Sequence, residues 1–184
     1  MNQKTDFLFK VLNVLSWGIF IGLCIESGGL IVNAFVSIFI NPVASSKFWG
    51  GLNLYDLYKF NQNYFIAIVT LMIIVSVLKS ILFYWIVNLF HKKKLNLSSP
   101  FNNTLGRYIF KLSYMVFGIG LFTYCLNQFS HSLKIKSNGL FFPSIQNIKF
   151  EDADVWIFMG VILLIFAMIF KKGIEIQTEN DLTV

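Results

Sequence analysis

Charge is what this sequence is shortest of. Ionisable Asp, Glu, Lys and Arg make up 13% of its 184 residues, against about a quarter in soluble domains, too few to clothe an ordinary water-facing surface. Three prolines and two cysteines leave no room for a Pro-rich linker or a disulfide framework. Cys24 and Cys125 both sit in apolar runs, where a thiol behaves as a small hydrophobe. The only histidines are His91 and His131, at opposite ends of apolar segments. No CxxC or HExxH pattern accompanies them, so neither a metal site nor any cofactor is expected. No Asp lies within an apolar run, which removes an intramembrane aspartyl mechanism. A phosphate-binding glycine loop is missing too, and no serine has a positioned histidine base. Enzymatic chemistry is therefore not expected. The formal charge of +6 comes from lysines at the ends of apolar runs, not from a free basic face. That placement speaks against nucleic-acid binding and for membrane lipid headgroups as the partner of the positive charge.

What the chain does have is grease: 56% hydrophobic residues, 17% aromatics, 21 Phe and a mean hydropathy of +0.67. Four apolar runs fall at about 7–40, 64–90, 107–128 and 155–170. They predict an all-α fold, an integral membrane four-helix bundle forming one domain over 1–184 with two extracytoplasmic loops. The first run is much longer than a signal-peptide core and lacks a convincing cleavage or lipidation site, so it reads as an uncleaved helix. It also exceeds the roughly 30 Å hydrocarbon thickness, and Ser27-Gly28-Gly29 is the expected place for a bend. Residues 41–63 read as an outer connection with Trp49, Tyr55 and Tyr58 suited to the headgroup belt. His91-Lys92-Lys93-Lys94 ends the second run abruptly, and residues 129–154 form the second outer loop, with a hairpin turn at Asn138-Gly139. Lys4, Lys10, Lys92, Lys93, Lys94, Arg107, Lys111, Lys171 and Lys172 would face one side, and Lys47, Lys59, Lys134, Lys136 and Lys149 the other. Nine against five predicts that both ends lie in the cytoplasm.

Two ionisable residues interrupt this scheme. Glu26 and Lys79 lie deep in the first and second runs, where a charge costs about 2.5 to 3.5 kcal/mol even on lenient insertion scales. By helical rise they stand about 24 and 18 Å from the basic end, a difference a lysine side chain can span. An intramembrane ion pair between Glu26 and Lys79 is the expectation. It would lock two helices or, in a second reading, line a polar path together with Asn33 in a small transporter or immunity-type permease component. Ser76 and Ser80 flank Lys79. On a wheel of about 100° per residue, Gly18, Gly22, Glu26, Gly29 and Asn33 share a face about 80° wide. Gly18 and Gly22 have the GxxxG spacing of close helix packing, and with Gly29 they are the expected packing residues, within the chain or in a homo-oligomer. Gly118, Gly120 and Gly160 are further packing candidates.

The tail IFKKGIEIQTENDLTV and the inner stretch SSPFNNTLGRYIFKLSYMVFG resemble the bacterial membrane family known as domain of unknown function 2975 (DUF2975). In the tail the resemblance rests on Lys172-Gly173, Glu175, Gln177, Glu179, Asn180, Asp181 and Leu182-Thr183-Val184; in the inner loop it rests on Pro100-Phe101 and Asn103. It implies a protein of the bacterial cytoplasmic membrane, with relatives often encoded beside a small helix-turn-helix regulator, and it carries no catalytic residue. The polar inventory gathers at the 91–107 loop and the 171–184 tail. The expected function is accordingly non-enzymatic: Pro100, Phe101, Asn103, Glu175, Glu179, Asn180, Asp181 and Leu182 form a cytoplasmic surface for a regulator protein.

Overall fold

The computed structural model describes residues 3–91, 103–136 and 153–182. Nearly all of them are helical. Four long helices carry the chain: α1, Gln3–Phe35, followed by a π-helical turn Val36–Ile40; α3, Gln62–His91; α4, Asn103–Lys136; and α5, Ala153–Leu182. A short α2, Tyr55–Phe60, lies in the connection between α1 and α3. Each long helix, α1 taken together with its π-helical turn, contributes a stretch of 27 to 34 residues apolar enough to cross a membrane. This is a multi-pass helical membrane architecture by length and composition. α3 stands between α1 and α4, and α5 packs most extensively on α4.

Two cores hold the helices. One, at the end carrying the 41–61 connection, gathers Leu30 and Ala34 of α1, Phe65, Ile68 and Val69 of α3, and Leu126 and Leu133 of α4 around Phe48, Leu54 and Leu57 of the connection. The other, toward the opposite, basic end, joins Val75 and Leu82 of α3 to Val116 and Ile119 of α4, with Trp156 and Leu163 of α5 against them.

The connection is folded into a cap. Asn41 Oδ1 accepts from the Val43 amide at 2.9 Å and opens a 3₁₀ helix, Pro42–Lys47. Phe48 then pairs with Leu52 across a tight loop, and Phe48 and Tyr58 both pack edge-on against Phe65 at 6.3 and 5.2 Å. Each of Phe48, Leu54, Leu57 and Phe65 is at most 2% exposed. If the cap stands in water, each such burial stabilises it by about 1.5 to 3 kcal/mol.

The helix ends depart from the sequence reading in three places. α1 runs unbroken through Ser27-Gly28-Gly29, and its irregularity comes later, at Val36–Ile40. α4 continues past Gln128 to Lys136, because Ser130 and Leu133 prolong the buried stripe of Leu126 and no Pro or Gly interrupts it. The fourth helix, expected to stop at Phe170, runs on to Leu182. Lysines end an apolar run without ending a helix, and 171–182 contains no proline. Asn138-Gly139 lies outside the described residues.

Candidate functional site

α3 places Ser76, Lys79 and Ser80 inside the assembly, at 3, 8 and 7% exposure. The Lys79 ammonium sits 5.4 Å from the centre of the Trp156 ring of α5, a cation–π contact worth up to about 2 kcal/mol when desolvated. The Ser80 hydroxyl has one proton for two acceptors, the Ser76 carbonyl at 3.1 Å and the Ser27 hydroxyl of α1 at 3.5 Å. Ser27 in turn donates to the Cys24 carbonyl at 3.1 Å. The Ser76 hydroxyl is buried without a hydrogen-bond partner.

Glu26 is half-buried on α1, beside Ser27. The structure therefore brings the helices of Glu26 and Lys79 together one residue away from each, at Ser27 and Ser80. The Lys79 ammonium reaches toward α5 at Trp156. Sequence reasoning missed Trp156 as the neighbour of Lys79. A depth comparison would have found it: Lys79 lies twelve residues from His91 and Trp156 fifteen from Lys171, about 18 and 22 Å from the same end.

The glycines divide. A side chain at Gly29 would collide with the Trp49 ring, which packs on α1 there. Gly18 and Gly22 face open space, with no atom within 4 Å of a Cβ placed on either. Closer packing occurs elsewhere. A Cβ on Gly120 would come within 2.8 Å of the Ile157 amide nitrogen, and one on Gly160 within 3.0 Å of the Phe117 nitrogen. The Ser113 hydroxyl donates to the Gly160 carbonyl at 2.9 Å across the same α4/α5 seam. Asn33, expected on the polar face of α1, donates to the Gly29 carbonyl at 2.8 Å within its own helix.

At the basic end, Ile174 of α5 lies over Gly106 of α4, its Cδ1 3.4 Å from where a Cβ would be. Glu175 is exposed and bonds Lys172 at 3.2 Å, and Glu179 is exposed one turn on. Asn180, Asp181 and Leu182 belong to the last turn of α5, and Asn103 opens α4. Pro100 and Phe101 lie outside the described residues. Cys24 and Cys125 are free thiols exposed on the helix surfaces. Among the described residues, no group of three or more His, Cys, Asp or Glu is placed to hold a metal ion. Comparison with family models, with curated proteins and with solved structures finds no match to this chain.

Proposed function

We propose that the chain is a non-enzymatic protein of a bacterial cytoplasmic membrane, with both ends inside, that engages a cytoplasmic regulator protein through the 91–107 loop and the end of α5. The DUF2975 resemblance and the lysine count support the location and orientation. The observation that carries the functional reading is the continuation of α5 past Lys171-Lys172 as a helix. Residues 172–182 rise about 15 Å beyond that basic pair. Ile174 holds this extension on α4, which leaves Glu175, Ile176 and Glu179 exposed. This face mixes both signs of charge, Glu175 being bonded to Lys172, around an exposed apolar Ile176, a pattern that suits a protein better than lipid. A photoreactive residue at position 176 should crosslink to a cytoplasmic protein. Deleting residues 174–184 should abolish partner capture by crosslinking from the 91–107 loop and leave the chain in the membrane. Recovery of the same partner after that deletion overturns the proposal.

A second reading is favoured by one observation, the partnerless Ser76 hydroxyl buried beside Lys79. In it the chain is a small transporter or permease component, with Glu26, Asn33 and Lys79 along a polar path and several copies assembling to complete it. Loss of solute flux in proteoliposomes on Lys79→Met, with assembly and helix content unchanged, would favour this reading over the first.

A further inference from the structure

The connection between α1 and α3 contains a five-residue loop, Phe48 to Leu52, closed by two backbone hydrogen bonds. The Phe48 amide donates to the Leu52 carbonyl at 2.8 Å, and the Gly51 amide donates to the Phe48 carbonyl at 3.0 Å. Gly50 and Gly51 have φ of 76° and 78°, backbone that only glycine adopts freely. Phe48, 2% exposed, anchors the loop in the cap core. This construction fixes where Trp49 goes, and it goes onto α1 at Gly29, a position that no side chain other than hydrogen could share with the ring. Trp49 itself remains 38% exposed, so one side of the indole is held and the other is free.

Glu26 lies three residues from Gly29, about 4.5 Å nearer the basic end and about 60° around the helix. It is half-buried, and the next positions of that face, Gly22 and Gly18, are open. The indole thus sits at the cap side of the only carboxylate in the apolar stretch of α1, on a notch that glycine creates. From this geometry we infer that Trp49 is a lid over Glu26: its docking on Gly29 closes the approach of water and protons to the carboxyl from the cap end, and its departure opens it. Glycines at 50 and 51 set the docked position, and the bare surface of Gly29 is the seat.

The lid is tested by thiol accessibility at the covered position. In a background carrying Cys24→Ala and Cys125→Ala, Glu26→Cys is reconstituted into nanodiscs and labelled with a sulfonated, membrane-impermeant maleimide. Adding Trp49→Ala should raise the labelling rate about tenfold, in proportion to the open fraction. Gly29→Leu, which unseats the ring, should do the same. Trp49→Phe keeps a flat ring and should stay slow, and Gly18→Leu, which meets open space, should have no effect. Circular dichroism on each sample identifies any variant that has lost its helices; if Trp49→Ala is one, Gly29→Leu against Trp49→Phe decides. Equal rates in the Ala, Phe and Leu variants, including no labelling in any, overturn the inference.

Discussion

Along the α4/α5 seam, Gly120 meets the backbone of Ile157, Gly160 meets that of Phe117, and a serine bonds across. Along the outer side of α1, Gly18 and Gly22 have the more recognisable spacing and meet nothing. The difference is instructive because spacing reports only that a helix surface is flat. Whether another helix uses the flat surface depends on what stands opposite. In the α4/α5 seam the glycines sit at the crossing, where removing a Cβ lets two backbones approach and gain dispersion and hydrogen bonding that lipid does not offer. On α1 the same flatness is occupied by the cap at Gly29 and left bare below it.

The comparison can be broken most decisively at the tight seam. Gly120→Leu or Gly160→Leu forces side-chain atoms into backbone and should lower stability by about 3 kcal/mol, read as the unfolding midpoint in detergent. A neutral result would mean that the helices separate there at little cost. The cap comes next. Gly50→Ala and Gly51→Ala should each cost about 1 to 2 kcal/mol through the left-handed backbone, and proteolysis at Lys47 should rise with the loss. Ser113→Ala removes the bond to the Gly160 carbonyl and should cost about 0.6 kcal/mol, measured against the same midpoint. The smallest effect belongs to α1: Gly18→Ala and Gly22→Ala should change the monomer by no more than about 0.5 kcal/mol. An oligomer that dissociates on Gly22→Leu while monomer stability holds would sharpen the contrast, by assigning the bare face to a second copy.

Much of the fold is legible in the residues. Four apolar runs in a charge-poor chain have few other solutions, and the described helices fall where those runs are. The ends were less legible, since Lys171-Lys172 mark a change of surroundings and not of backbone, and Ser130 and Leu133 keep a helical stripe going through what composition suggests is a loop. Neighbour relations were the least legible. A wheel places Glu26, Gly22 and Gly29 on one face of α1 but does not say which element covers that face. Trp49 covers part of it from a connection whose fold depends on two left-handed glycines, a property of backbone and not of hydropathy. Lys79 shows the same limit: its depth was readable, whereas the aromatic ring it meets belongs to the helix farthest from it in sequence.

α5 has a mechanical consequence. Its helix continues without interruption for 30 residues, from the level of Trp156 to beyond the basic pair, and it is pinned on α4 at Gly160. From that crossing to Leu182 is about 33 Å, and Ile174 over Gly106 keeps α5 against α4 along the way, so the two helices would tilt together as one stiff pair.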